Sequence, residues 1–384
     1  MEIDQLQRRL SEISENLEER RSEVQSKCAS LRSLMSMHGI DGVYLQRKDS
    51  FAWLTCGSSN GGLIGSLTGS ASLFITPERQ CVIASNIEMP RLVEEESVEQ
   101  LGFELVCTDW MGSSDFDTAR SLVKTDRIYS DLGQYDSDFQ KALLSLRYSL
   151  TSREIEHYRI FGTLTSLILE QTMISLTPNM SEFEVVGKLS SNLWAHQIEP
   201  VNLMCAADAR VFSYRHPSPT AKKLEALCTV SLGARHGGLI VSLSRTVSFV
   251  PLPSNLERKK DACDRVFEAM VKKTICGMPV SAILEKAIET YREAGFDREY
   301  RHHHQGGAIG FLPREFKAFL YCDQVVLNNQ GYCWNPTVGG MKSEETIVAT
   351  EKGPIAITSP IHFDKTEIRC DRSSIYNSKI LILQ

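Results

Sequence analysis

Between residues 151 and 358, two helical stretches, a group of strands, two more helical stretches and a second group of strands follow one another. This doubled order constrains the fold more than composition does, because each sheet face must be covered by the helices beside it. The first helix opens at Thr151-Ser152-Arg153-Glu154 and buries Ile155, Ile160, Leu164, Leu167 and Ile168. A second follows Pro178-Asn179-Met180-Ser181, where Ser181 and Glu184 have capping-box spacing. Strands are expected at 201–205, 228–233 and 238–249, helices at 255–273 and 280–294, then strands at 317–320, 325–327, 331–334, 343–349 and 354–358. The pseudo-repeat implies a curved sheet backed by helices.

Ahead of it, residues 3–38 read as one long helix. Leu6, Leu10, Ile13 and Leu17, then Val24, Cys28, Leu31 and Leu34, form its stripe, and Gly39 stops it. Four seam positions in the charged half are few for an independent coiled coil, which favours packing on its own domain or a small dimer contact. Short β-like runs follow at 42–45, 51–54, 71–75 and 81–83, with a turn at Pro77-Glu78-Arg79. Gly57, Gly61, Gly62, Gly65 and Gly69 form a glycine-rich loop without the Gly-Lys-Ser/Thr ending of a phosphate loop. A helix at 87–96 and strands at 103–106 and 127–130 complete an α/β first domain. The domains expected are therefore 1–150 and 151–384, in an α/β (α+β) protein.

The net charge of −6 argues against nucleic acid or an anionic membrane as main partner. No apolar run approaches a bilayer span, and Met1-Glu2-Ile3-Asp4-Gln5 is no signal peptide, so a cytoplasmic location is expected. Eleven cysteines without a Cys-x-x-Cys pair suit reduced thiols.

The chemistry concentrates at Arg301-His302-His303-His304-Gln305-Gly306-Gly307-Ala308-Ile309-Gly310. If a strand begins at 304, at most two of the three imidazoles share a side. Gly306 and Gly307 permit close approach of backbone or ligand. A solvated turn with one structural histidine is the plainer alternative.

Several motifs in order resemble the creatinase/aminopeptidase-P, or pita-bread, superfamily. Leu232-Gly233-Ala234-Arg235 with Leu243-Ser244-Arg245-Thr246 resembles its paired strands, and Gly306-Gly307-Ala308-Ile309-Gly310 its glycine-histidine-glycine strand. Trp334-Asn335-Pro336-Thr337 and Lys342-Ser343-Glu344-Glu345-Thr346 resemble its two glutamate segments, and residues 20–130 its small N-terminal domain. The resemblance implies a creatinase-type domain, then a pita-bread domain. It also implies a homodimer, and a site where two aspartates, a histidine and two glutamates hold two metal ions. The matching positions here are Ser231, Ser242, Gly307, Asn335 and Glu344, and segment 228–250 contains no Asp or Glu. One carboxylate in five cannot compensate two divalent ions. The chain thus resembles a metal-free branch with the His-His-Gln-Gly-Gly pattern, and no cofactor or metal is expected. Creatinase, a metal-free hydrolase of a C–N bond, places its acid/base histidine where His216 stands.

Closure of the strands would gather His216, His303, His304 and Glu344 as catalytic groups. Tyr214, Arg215, Arg245, Gln305, Arg314, Glu315, Asn335 and Lys342 would be substrate contacts. His216 would transfer protons, and Glu344 would fix a tautomer or bind a substrate cation. Arg245 and Arg314 would grip a carboxylate, while His303, His304 and Gln305 polarise a carbonyl. Ser231 and Ser242 show no activating partner. Plainer roles are a cross-sheet pair of Arg245 with Glu344, a solvated Arg314-Glu315 turn, and a structural His216. The expected function is metal-independent hydrolysis, or a lyase reaction, at a C–N or amide bond of a small amino-acid-like substrate. The alternatives are an inactive relative that binds a ligand or peptide, and a Xaa-Pro aminopeptidase with an unusual metal site. Successive strand histidines on opposite faces make a shared ion awkward in the last case.

Overall fold

Helix ends fall where side chains satisfy them. Thr151 caps the helix Ser152–Ile174 and Ser181 the helix Glu182–Trp194, each through a complete capping box with Glu154 or Glu184. The single helix expected over 3–38 is two, Glu2–Glu15 and Leu17–His38. Asn16 divides them, its side chain accepting the Glu19 N–H at 3.2 Å and so offering the chain a fresh start. Gly39, at φ +65°, ends the second helix in the left-handed conformation that glycine adopts without strain. Residues 51–54, expected in a strand, close the helix Lys48–Leu54. That segment is buried on every side, so its apolar run carries no alternation to separate helix from strand.

The computed structural model describes residues 2–112, 114–133 and 137–383. Its contacts divide the chain into two units. One comprises Ser11–Arg147 with Gly237–Leu239. It holds a five-stranded sheet in the order Glu104–Thr108, Gln80–Ser85, Thr68–Ile75, Gly42–Arg47, Ile128–Ser130. The central pairings are antiparallel and both edge pairings parallel. Tyr44, Phe74, Cys81 and Ile83 bury one face.

The other unit runs from Tyr148 to His236 and from Ile240 onward, together with the segment ending at Leu10. It contains two main sheets. In the first, the strands Leu381–Ile382, Leu239–Ser248, Leu227–His236 and Glu199–Ala207 lie side by side. The second has the order Phe316–Lys317, Gly306–Ala308, Gln330–Trp334, Glu345–Ala349, Ile355–Ala356. They meet where Ser242 N–H donates to Thr346 Oγ1 at 2.9 Å and that hydroxyl returns a bond to Ser242 O at 2.8 Å. The helices Ser254–Lys273 and Val280–Glu293 contribute Phe267, Met270 and Tyr291 to the core around Trp334.

The doubled order read from sequence is thus an α/β (α+β) fold. Its weakest strands differ: 317–320 shrinks to Phe316–Lys317, and 325–327 is an isolated bridge of Val325 with Pro279. The hairpin Lys365–Arg369 with Ser374–Ser378, and the strand Leu381–Ile382, had no sequence expectation. Among the described residues no helix is long and apolar enough to cross a membrane.

Candidate functional site

Strand parity builds the site's floor. Ser242 and Ser244 are two apart on the strand Leu239–Ser248 and share a face, while Arg245 between them and the strand's end points to the opposite one. The same parity separates Glu344 from Glu345. Ser231 Oγ lies 2.7 Å from Ser244 Oγ, and Ser244 donates to Glu344 Oε2. On the reverse face Arg245 Nε meets Glu170 at 2.7 Å and its Nη1 meets Glu345 at 2.5 Å, all three side chains fully buried. The expectation that Arg245 grips substrate, or pairs with Glu344, is corrected: it faces the covering helix, and two carboxylates neutralise it.

The Glu344 carboxylate is the site's electrostatic centre. Lys342 Nζ lies 2.6 Å from Oε2 and reaches Ser231 Oγ at 3.2 Å. Asn335 Nδ2 approaches Oε1 at 3.4 Å, Cys333 Sγ at 3.7 Å, and Arg314 at 3.8 Å. Burial alone would raise this carboxyl, but the Lys342 and Arg314 cations outweigh it and hold the group below the usual range.

Three imidazoles stand beside that centre. His216 follows the short helix Ala209–Ser213. His303 and His304 occupy the turn between Glu299–Arg301 and the strand Gly306–Ala308. Since pairing starts only at Gly306, these two successive histidines escape strand alternation and both face His216, whereas His302 is exposed. This corrects the expectation that neighbouring histidines point apart. Ring centroids are 4.9 Å apart for His216–His303, 5.7 Å for His216–His304 and 4.6 Å for His303–His304. His303 Nε2 lies 3.1 Å from His216 Nε2. Burial and then the Lys342 charge push His303 down to about 2, while burial and the Arg314 charge push His304 to about 4. Burial and Lys342 lower His216 as well. All three are therefore neutral near pH 7.

A cavity of about 230 Å³ opens between imidazoles and carboxylate. His216, His304, Arg314, Asn335, Lys342 and Glu344 border it. His303 touches His216 from behind. Other sequence candidates act elsewhere. Gln305 accepts the Tyr291 hydroxyl at 2.6 Å and braces the turn. Glu315 accepts the N–H groups of Phe311 and Leu312 at 3.0 and 3.1 Å. Arg215 pairs with Glu299 at 3.3 Å, and Tyr214 is half exposed with the Arg210 guanidinium over its ring. None of these four, expected as substrate contacts, is among the residues that line the cavity. Asn202, Met204 and Ser244 were missed. Ser244 was findable as the residue two beyond Ser242, but the other two lie on a strand with no chemical motif.

Two divalent ions do not fit the five positions that the resemblance matched to ligands. Ser231, Ser242 and Asn335 offer neutral oxygens, Gly307 has no side chain, and both Glu344 oxygens already have partners. The Lys342 ammonium lies between Ser231 and Glu344, where it supplies a fixed positive charge.

Residues 156–351 match metallopeptidase family M24. The chain is 24% identical over 367 residues to the uncharacterized peptidase YqhT of Bacillus subtilis (strain 168), covering 86% of this chain and 97% of that protein. It is 21% identical over 347 residues to the Xaa-Pro dipeptidase of Pyrococcus furiosus, covering 87% and 98%. Among solved structures it is similar to a Xaa-Pro dipeptidase from Bacillus anthracis, with a TM-score of 0.75, 18% identity, and coverage of 94% of this chain and 100% of the other. The expected pita-bread fold is thereby supported across both units.

Proposed function

The chain belongs to metallopeptidase family M24, and we propose that it hydrolyses a C–N bond of a small, carboxylate-bearing, amino-acid-derived substrate without the family's two-ion centre. The observation that carries this reading is the pair of neutral imidazoles, His216 and His304, bordering a cavity whose fixed charges are Lys342, Arg314 and Glu344. A substrate carboxylate meets Arg314, whose Nε is buried without a hydrogen-bond partner. His216 takes a proton from water as the water oxygen bonds to the substrate's electrophilic carbon. The resulting imidazolium passes that proton to the departing nitrogen as the C–N bond breaks. Asn335 and Lys342 lie where a developing oxyanion needs donors. The unpaired cysteines, Cys28 through Cys370, support a reducing, cytoplasmic setting.

A binding module without turnover is favoured by one observation: every Glu344 oxygen is already engaged. His216→Ala and His304→Ala, assayed separately on dipeptides, N-acyl amino acids and ureido acids, distinguish the readings. Each substitution is expected to reduce turnover about 10²–10⁴-fold. Wild-type rates in both variants overturn the assignment, and calorimetric binding with no turnover in the parent protein supports the binding module.

A further inference from the structure

We propose that His216, His303 and His304 form a site for one divalent transition-metal ion of the zinc class, distinct from the five positions matched to the family's ions. One candidate ligand atom from each ring lies within 4.8 Å of the others, a grouping no strand motif would have produced. The His216–His303 nitrogen separation of 3.1 Å is close to the roughly 3.3 Å between two imidazole nitrogens on a tetrahedral zinc ion. His216 is exposed on an irregular segment, and its ring lies against both of the others.

A second observation points the same way. Nδ1 of His304 is buried with no hydrogen-bond partner, so beside the Nε2 atoms of His216 and His303 the cluster leaves one coordinating nitrogen unmet. The adjoining cavity leaves a fourth position for water. Imidazole nitrogens select zinc, copper, nickel and cobalt over magnesium, calcium and manganese, which prefer oxygen. Lys342, Arg314 and Lys317 oppose a dication here, and Glu344 offsets only part of that field. The site is accordingly reversible rather than a structural centre that the fold requires. An ion on these nitrogens occupies the lone pairs that proton transfer uses, so the two uses exclude one another.

The experiment strips the full-length protein with a chelator and titrates it with Co²⁺ and Zn²⁺, following visible absorption and equilibrium dialysis. One ion per chain with a tetrahedral cobalt spectrum is expected, and Mg²⁺ should not displace it. His303→Ala, and independently His216→Ala at the exposed position, should weaken binding at least about 100-fold. Ser242→Ala should leave binding unchanged. Absence of a bound ion, two ions per chain, or loss in Ser242→Ala but not in the histidine variants overturns the site. Binding is read without substrate, so this outcome is independent of turnover by the stripped protein, on which the proposed reaction stands or falls.

Discussion

Lys342 Nζ lies 2.6 Å from Glu344 Oε2, and both side chains are almost wholly withdrawn from solvent. A paired charge at this depth holds the fold only while its partner is present. Lys342→Met leaves Glu344 buried beside Ser244 and a guanidinium at 3.8 Å, and is expected to cost about 3 kcal/mol, at the lower end for a broken buried pair. Lys342→Met with Glu344→Gln should recover most of that loss. Denaturant unfolding of both single variants and the double variant measures the coupling.

Arg245 and Arg314 should separate stability from recognition. Arg245→Met strands Glu170 and Glu345 in the core and should destabilise by about 3–5 kcal/mol, leaving the KM of the folded fraction unchanged. Arg314→Met borders the cavity and should raise KM about 10–100-fold through loss of a charge-assisted hydrogen bond, with stability changed by about 1 kcal/mol or less. Unfolding midpoints and steady-state kinetics on the same preparations check both.

A second histidine pair contributes to acid stability beside His303 and His304. His157 Nε2 and His236 Nδ1 lie 2.9 Å apart. Burial, with the neighbouring His236, holds His157 well below its ordinary value, and burial brings His236 to about 4. Below about pH 6.5 the unfolded chain therefore binds protons that the folded chain refuses. Stability should be flat above that value and fall as pH drops from about 6.5 toward 4. An edge of His236 remains in contact with solvent, which trims the loss to on the order of 2 kcal/mol. His157→Phe with His236→Phe should reduce this slope in thermal melts taken across that range, the remainder coming from His303 and His304.

Gly306 and Gly307 carry a purely steric constraint. At φ +114° and +155°, an added Cβ would come within 2.1 Å of Cys333 O and 2.2 Å of Phe316 O respectively. Gly306→Ala should leave the protein largely insoluble or reduce its unfolding midpoint by more than any cavity-lining substitution, as expression yield and thermal melting will report.

Much of this was legible in the chain because it rests on local rules. Ser181 and Glu184 announced a capping box, and Gly39 a helix stop. The absence of Asp and Glu over 228–250 is equally plain in the sequence, and it carries the expectation that the sheet does not hold two cations. What escaped depended on tertiary geometry. Parity told which of Arg245 and Ser244 shares the Glu344 face only once the register with Glu344 and Glu345 was fixed, because a one-residue slip exchanges the faces. The clustering of His303 with His304 depended on where pairing begins, and the sequence placed that start two residues too early, at 304 instead of Gly306. Asn16, inside the single helix expected over 3–38, caps the next helix with its side chain.

Turnover after exhaustive chelation decides whether hydrolysis at this site proceeds without metal. Protein stripped of metal, verified by elemental analysis, should hydrolyse a substrate found in the C–N bond panel at least as fast as untreated protein. Activity that disappears on stripping and returns only as two manganese, zinc or cobalt ions bind per chain would contradict it.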